Sequence, residues 1–233
     1  MSIKILNSVV LCLLLMFAAG CTPLPPKKAD EGPPPPQNTV GSTDELQLVA
    51  EVSLDQARKY GANRVLVVLE IDNTLLSNGQ NSHCPSGESS LMQEDSLEQV
   101  QRMQEAGIRV IIVTSRSPEC QQRTMQQLQA WGFDFRSSAW PPRDGFPEPF
   151  QPDEATRPVM YQDGVFYTAE QNKGKMLKAL LEKSDEPNPV LFLVVDQRQD
   201  KLNEVMKVFS WTGTKVQSWR YTRESTLEAA STD

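Results

Sequence analysis

Three short apolar runs, each rich in β-branched residues, recur along the chain at residues 64–71, 108–115 and 189–196. Polar or turn residues bound each run, and the apolar positions inside a run are nearly continuous. Such runs are typical of strands that are covered on both faces of a sheet. The pattern therefore predicts three buried strands.

Stretches with helical spacing of apolar residues alternate with these runs. They cover residues 44–61, 95–107, 117–132 and 172–183. Three of the four stretches end at a glycine, the residue expected just beyond a helix C-terminus. Strands that alternate with helices predict an α/β domain, with a Rossmann-like parallel sheet flanked by helices.

Three further segments complete the pattern. Residues 159–168 contain Asp163 and Gly164 between two short apolar segments, which predicts a small β-hairpin. The pattern of residues 214–222 predicts a late strand. Residues 140–158 are too rich in proline to form a helix or a strand. We therefore expect a surface loop at 140–158.

The N-terminus has the features of an export signal. Residues 1–20 combine one lysine with a short apolar segment and small residues before Cys21. The segment from Phe17 to Cys21 resembles a bacterial lipobox, which implies that Cys21 is lipidated after cleavage. A Pro-rich polar stretch follows and is typical of a stiff spacer.

The chain therefore divides into four predicted parts. These are a lipoprotein signal peptide (1–20), a Pro-rich tether (21–43), one α/β domain (44–223) and a C-terminal tail (224–233). Thr22 is not the aspartate associated with inner-membrane retention in lipoproteins. We therefore expect a lipid anchor in the outer membrane, with the domain facing the periplasm.

Composition limits the chemistry and the partners. The full chain has a formal net charge of −7, and removal of Lys4 with the signal peptide makes it more negative. This charge disfavours nucleic acid and anionic membrane surfaces as partners. With His83 as the only histidine, the sequence has no His-rich zinc site. Carboxylates, hydroxyls and lysine must supply the chemistry.

Polar residues follow each of the three predicted strands. They are Glu70 and Asp72 after the first, Thr114 at the end of the second, and Asp196 and Asp200 after the third. In open α/β sheets, ligands bind beyond the carboxyl ends of the strands. We therefore expect these side chains to line one crevice, with the lysine that opens the helix at 173 beside them.

The order of these residues resembles the haloacid dehalogenase-like superfamily of aspartate-dependent phosphohydrolases. Its motifs correspond to Glu70-Ile71-Asp72-Asn73-Thr74, the segment IIVTS with Thr114, Lys173 at a helix start, and VVDQRQD with Asp196 and Asp200. The segments IDNTLL, YQDGVFYTAEQNKGKML and WRYT look like a bacterial branch known only as a domain of unknown function.

The resemblance implies a role for each matched position. Glu70 stands at the position of the nucleophile, Asp72 acts as general acid and base, and Thr114 and Lys173 contact the phosphate. Mg²⁺ is bound by Glu70, Asp72 through its backbone carbonyl, Asp196 and Asp200. Hard oxygen ligands of this kind suit Mg²⁺. The implied substrate is a small phosphorylated molecule.

Two positions depart from the superfamily pattern. Glu70 replaces an aspartate and is one methylene longer, and Gln197 stands where a second acid is common. A misplacement of about 1 Å at a reacting atom can cost roughly a hundredfold in rate. We expect a phosphomonoester hydrolase of low or impaired activity. The alternatives are a binding protein that keeps a cation and phosphate site, and a structural role in which the acids are solvated caps.

Cys84 and Cys120 follow the first and second predicted strands. The exported compartment would permit a disulfide, which requires Cα atoms within about 7 Å. The sequence leaves open whether the two cysteines pair or stay free, with Cys120 buried in its helix. The polar stretch around Cys84 and His83 is too short for a cap domain, so we expect a short flap.

Two further features have more than one interpretation. Arg116, just beyond the second strand, either contacts a substrate phosphate or is solvated. Trp131, Trp140, Trp211 and Trp219 are interpreted as anchors of the core or of loops.

Membrane attachment should depend on Cys21. We expect the Cys21→Ser variant to leave the membrane fraction, because the lipid chains that slow release are then missing. Fractionation of cells with detection of the protein in each fraction measures this. A variant recovered with membranes as fully as the unsubstituted protein would contradict the lipid anchor.

Overall fold

The computed structural model describes residues 32–77, 84–85 and 89–223. Its nine strands within these ranges are β1 (Thr39–Thr43), β2 (Val65–Leu69), β3 (Leu76–Ser77), β4 (Ser90–Leu91), β5 (Arg109–Thr114), β6 (Met160–Gln162), β7 (Val165–Tyr167), β8 (Leu191–Asp196) and β9 (Lys215–Tyr221). The five α-helices are α1 (Leu46–Tyr60), α2 (Ser96–Glu105), α3 (Gln121–Ala130), α4 (Lys173–Ser184) and α5 (Gln199–Phe209).

A seven-stranded sheet forms the centre of the fold, in the order β1-β9-β8-β2-β5-β7-β6. All neighbouring pairs are parallel except β6 and β7. The three strands predicted from the apolar runs are β2, β5 and β8, which are adjacent in the sheet, and that prediction is confirmed. The fold is a mixed α/β architecture with a mostly parallel central sheet, compatible with a Rossmann-like fold.

Helices cover both faces of the sheet. Val65, Val67 and Leu69 of β2 pack in one apolar cluster with residues of α1, α2 and α3, whereas Leu66 and Val68 pack in a second cluster with α4 and α5. Successive side chains of a strand point to opposite faces, so a continuous apolar run fills both clusters. This is why all five residues of β2 are buried.

The strand order reverses at β2. The chain proceeds from β2 to β5 and then β7 on one side, and it returns through α4 to β8 on the other side of β2. At such a switch point the two crossovers leave a crevice beyond the carboxyl ends of the strands. The residues that follow β2 and β8 and the end of β5 face this crevice.

The predicted hairpin is confirmed by β6 and β7. They pair antiparallel across a two-residue turn in which Asp163 (φ 48°) and Gly164 (φ 80°) both have left-handed backbones. A Cβ at Gly164 would lie 2.5 Å from the carbonyl oxygen of Phe135. Glycine is therefore required by both the turn and the neighbouring chain.

Two elements differ from the sequence-based predictions. Residues 39–43, placed in the tether, form the edge strand β1 along β9, so the ordered domain begins before residue 44. The segment TVGST has no apolar run, and it joins the sheet through backbone pairing. Gly41 permits this, because a Cβ there would lie 2.9 Å from the Trp219 ring. Helix α5 also has no counterpart among the predicted helices.

The tryptophans divide into two groups. Trp140 is buried, and Trp131 and Trp219 pack partly buried against the core. Trp211, in contrast, is 95% exposed, so its interpretation as an anchor of the core or of a loop is wrong. The loop at 140–158 contains no helix or strand, as predicted, and Phe150 fixes it by stacking 6.2 Å from Phe166.

Several predictions concern residues outside the described ranges. They are the signal peptide (1–20), lipidation of Cys21, most of the tether, His83 and the C-terminal tail (224–233). Within the described residues, no helix combines the length and apolar character needed to span a membrane.

A disulfide joins Cys84 to Cys120, with their Cα atoms 5.4 Å apart. Cys84 lies between the antiparallel strands β3 and β4, and most of the predicted flap around it lies outside the described residues. Cys120 ends a 3₁₀ turn that leads into α3. The bond therefore joins Cys84 to the turn between β5 and α3.

Removal of this bond should lower the free energy of unfolding. The bond closes a loop over a sequence separation of 36 residues, which corresponds to about 3–4 kcal/mol on the chain-entropy model. Urea unfolding of a Cys84→Ser, Cys120→Ser double variant measures the loss, and the reduced unsubstituted protein is the matched control. Two reactive thiols in the unreduced, unfolded mature protein would contradict the bond.

Candidate functional site

Three of the predicted site residues meet on the floor of the crevice. Glu70 follows β2, Asp196 ends β8, and Lys173 is the first residue of α4. The three are 5%, 1% and 2% exposed, respectively. Lys173 Nζ donates to both Glu70 Oε2 and Asp196 Oδ2. The structure thus brings together side chains from three separate elements.

Strand register explains why the two acids are neighbours. Leu69 pairs with Val195, and the Glu70 N–H donates to the Val195 carbonyl at 3.1 Å. The next residue of β8 is Asp196. The two carboxylates therefore lie side by side on adjacent parallel strands.

The start of α4 places Lys173 opposite these acids. The Asn172 side chain caps the helix by accepting from the Lys175 N–H at 2.9 Å. Gly174 packs directly on α5, where a Cβ would lie 2.3 Å from the Glu204 carbonyl oxygen. The Glu204 side chain also accepts from the Lys173 N–H at 2.7 Å. These contacts fix the helix end from which the ammonium extends.

The charges on the floor are strongly coupled. Burial would lower the pKa of Lys173, but Asp196 and Glu70 together raise it well above its ordinary value. Burial would raise the pKa of Glu70, yet the Lys173 ammonium and hydrogen bonds from Ile71 and Thr114 bring it below its ordinary value. Burial and the Glu70 charge raise the pKa of Asp196, because Lys173 offsets them only in part. One ammonium faces two carboxylates, so the floor carries more carboxylate than ammonium charge.

Asp72 lies to one side, in a fork formed by Arg116. The guanidinium donates to Asp72 Oδ1 at 2.7 Å and to Oδ2 at 3.0 Å. Arg116 is only 1% exposed and also donates to Thr124 and Gln127 of α3, at 2.9 and 2.8 Å. The alternative that Arg116 is solvated is therefore wrong. The sequence signal for this contact was only the position of Arg116 just beyond a strand end.

Thr114 connects the floor to this fork. Its hydroxyl accepts from the Arg116 N–H at 3.3 Å and hydrogen-bonds Glu70. The Thr114 carbonyl accepts from the N–H of Thr168 at 2.9 Å. The next two residues, Ala169 and Glu170, both have left-handed backbones, with φ of 52° and 59°. Non-glycine residues with left-handed backbone angles are uncommon, and they cluster at functional sites.

Asp200 lies on the rim and not on the floor. Its side chain is 60% exposed and accepts from Arg198 at 2.8 Å. The hydrogen bond from Arg198 lowers the pKa of Asp200. Arg198 also pairs with Glu170 at 3.3 Å, and its N–H donates to Asp196 Oδ1 at 2.8 Å. Asp200 and Glu70 are thus held by different cations.

The predicted Mg²⁺ ligands are therefore only partly assembled. Glu70 and Asp196 converge, but Lys173 Nζ lies between them. The described residues contain no group of three or more His, Cys, Asp or Glu side chains arranged to hold a metal ion. The hard carboxylate oxygens and the uncompensated negative charge of the floor do fit the chemistry of Mg²⁺.

Two buried hydroxyls accompany these groups. Thr74 Oγ1, in the turn after Asp72, and Ser115 Oγ, next to Thr114, have no hydrogen-bond partner within the described part of the chain. Buried polar groups are normally hydrogen-bonded, so both hydroxyls are suited to bind a ligand oxygen.

Comparison with known proteins gives one family match. The profile of the family described as "Protein of unknown function (DUF2608)" matches residues 83–232, more than half of the chain. The match includes Thr114, Lys173, Asp196 and Asp200 and begins after Glu70 and Asp72. Neither the curated proteins nor the solved structures contain a match.

Loss of the Lys173 ammonium should destabilise the fold strongly. We expect Lys173→Met to lose roughly 3–5 kcal/mol of unfolding free energy at neutral pH, because it leaves two buried carboxylates without a cation. The control is Lys175→Met, since Lys175 is 49% exposed and its pairing with Glu154 contributes little. Urea unfolding measures both.

The loss of unfolding free energy in Lys173→Met should also depend on pH. Without Lys173, repulsion and burial raise the folded-state pKa of the carboxylate pair above its unfolded value. The stability of such a group is present at low pH and is lost as pH rises through the folded pKa. The deficit of Lys173→Met should therefore shrink as pH falls. Equal, pH-independent losses in both variants would contradict the buried triad.

Proposed function

The chain belongs to the family of "Protein of unknown function (DUF2608)", and we propose that it is a haloacid dehalogenase-like phosphomonoester hydrolase of low activity that uses Mg²⁺. One observation supports this proposal above the others. Glu70, Thr114, Lys173 and Asp196 come from four different elements and meet at the carboxyl ends of adjacent parallel strands. Phosphoryl transfer needs mainly positioning and charge neutralisation, which such a cluster supplies.

Each side chain has a definite role in the proposal. Lys173 neutralises phosphate oxygens, and Thr114 donates a hydrogen bond to one of them. Glu70, at the nucleophile position of the superfamily, attacks phosphorus. Glu70, Asp196 and the backbone carbonyl of Asp72 would hold the Mg²⁺, with Asp200 on the rim. The ion supplies further neutralisation of the phosphate when bound. Asp72 serves as general acid and base once it leaves its fork with Arg116.

The arrangement supports low activity. Glu70 is one methylene longer than the aspartate of the superfamily, and both of its oxygens are engaged, by Lys173 and by the Ile71 N–H at 2.8 Å. The Arg116 fork engages both oxygens of Asp72. A nucleophile and an acid that are both held by protein groups must rearrange before they react, which raises the barrier.

A second candidate function is binding without turnover. It is favoured by the observation that every predicted catalytic or metal-binding acid has an internal cation. Lys173 pairs with Glu70 and Asp196, Arg116 pairs with Asp72, and Arg198 pairs with Asp200. A phosphorylated small molecule would then be held in the crevice without being hydrolysed.

We also propose that the protein is tethered to the outer membrane through lipid on Cys21 and that the domain faces the periplasm. The lipobox-like segment and the Pro-rich stretch after it support this location. The ligand in either candidate function is a small phosphorylated molecule from that compartment.

A phosphatase assay on a panel of small phosphomonoesters tests the proposal. We expect slow phosphate release that requires Mg²⁺ and stops with a chelator, and a rise of about tenfold or more in Glu70→Asp, which restores the superfamily geometry. The control is Glu154→Asp, because Glu154 is exposed and pairs with Lys175 rather than with a residue of the floor.

Calorimetry separates the two candidate functions. Asp196→Asn should weaken Mg²⁺ binding, because the ion loses one of its two converging carboxylates. Binding of a phosphomonoester without release of phosphate, in both the unsubstituted protein and Glu70→Asp, would favour the binding protein. Absence of both Mg²⁺ and phosphomonoester binding would overturn the two candidates together.

A further inference from the structure

Trp211 is the most exposed large apolar side chain of the described residues. It is 95% exposed, in the loop between α5 and β9. A tryptophan buries a large area when it finds a partner, and its indole N–H favours a site that is apolar at one end and wet at the other. Full exposure of such a side chain suggests a binding role.

The loop that carries Trp211 is held rigidly. Phe209 is buried and packs edge to face on Phe192, with ring centroids 4.8 Å apart. Thr212 N–H donates to the Phe209 carbonyl at 3.1 Å, and its hydroxyl donates to the Thr214 carbonyl at 3.1 Å. Trp211 therefore lies at the apex of a fixed turn.

Trp211 is at the end of the sheet where the chain enters the domain. β1 and β9 are parallel, with Thr39 paired to Gln217, so both strands start at the same end. The Asn38 side chain accepts from the Val216 N–H at 2.9 Å. The residues that connect the domain to the tether thus lie beside the start of β9, close to the Trp211 loop.

We propose that Trp211 inserts into the surface of the lipid bilayer to which the chain is tethered. This inference rests on the proposed lipid anchor at Cys21. Tryptophan is enriched at membrane interfaces. Lys207, on one side of the loop, is exposed and suited to lipid phosphates, whereas Lys215, on the other side, is partly buried and donates to the Thr212 carbonyl at 3.3 Å. The anchor keeps the loop at high local concentration near the surface, so that one aromatic side chain is enough to select an orientation.

This orientation places the crevice away from the membrane. The floor residues follow the carboxyl ends of the strands, and the seven residues of β9 separate the two ends by about 20 Å at roughly 3.3 Å per residue. The crevice then opens toward the aqueous compartment. The phosphorylated ligand is accordingly a soluble molecule and not a lipid headgroup.

The test uses the lipidated mature protein on phosphatidylcholine vesicles with brominated acyl chains, which quench tryptophans that enter the bilayer. We expect the emission to fall relative to vesicles with unbrominated lipid, and this loss to disappear in Trp211→Phe. Trp131→Phe is the matched control and should retain the loss, because Trp131 packs partly buried against the core. Flotation of the same vesicles measures attachment.

Each outcome bears on one claim. Trp211→Phe should float as the unsubstituted protein does, since the anchor is intact. Flotation without any quenching, or quenching that survives in Trp211→Phe, overturns the docking of Trp211 and leaves the anchor standing. Failure to float overturns the anchor and the docking together. If no quenching is seen and the protein self-associates in a way that Trp211→Phe abolishes, the partner of Trp211 is a second copy of the chain, and the proposed insertion into the bilayer is overturned.

Discussion

The buried ammonium of Lys173 is the interaction on which the crevice depends. It lies between Glu70 and Asp196, two carboxylates on adjacent strands that would otherwise repel each other in a medium of low dielectric constant. A buried pair of this kind costs much in desolvation, and it is rarely kept for stability alone. It lies at the switch point of the sheet, which is where open α/β sheets generally bind ligands.

The scaffold around Lys173 is built to fix its position. Asn172 caps α4, and Gly174 allows α4 to approach α5 more closely than any side chain would permit. The parallel register of β2 and β8 then sets Glu70 beside Asp196. Core packing and site geometry are therefore not separable, because the same contacts that bury the helices determine where the charges lie.

The surrounding cations engage the other acids of the crevice. Arg116 holds Asp72 from beneath, and Arg198 holds Asp200 at the rim. In a site that hydrolyses phosphate rapidly, the acids must contact the substrate and the metal ion. Here each acid instead contacts a protein cation, so a ligand or a metal ion must displace these contacts to reach the carboxylate oxygens.

The sequence alone determined the main elements and the identity of the acids. Periodicity and turn residues depend on local geometry, so β2, β5, β8, β9, the hairpin and four of the five described helices could be predicted. The carboxyl ends of the apolar runs likewise indicated where Glu70, Thr114 and Asp196 would lie. These are properties of short stretches of chain, and the side chains nearby in sequence suffice to set them.

Only the tertiary structure decided which charges pair and which side chains are exposed. Arg116 lies 44 residues from Asp72, and no local pattern indicates that contact. Lys173 lies 103 residues from Glu70, and it was expected beside the acids only from the convergence of the strand ends and from the family resemblance. The edge strand β1 joins the sheet by backbone pairing without an apolar run of its own. Trp211 is a large apolar residue of the kind usually found in a core, but it is exposed on the surface. Pairing and burial depend on what the rest of the chain brings near a residue, and that is fixed by packing rather than by sequence neighbours.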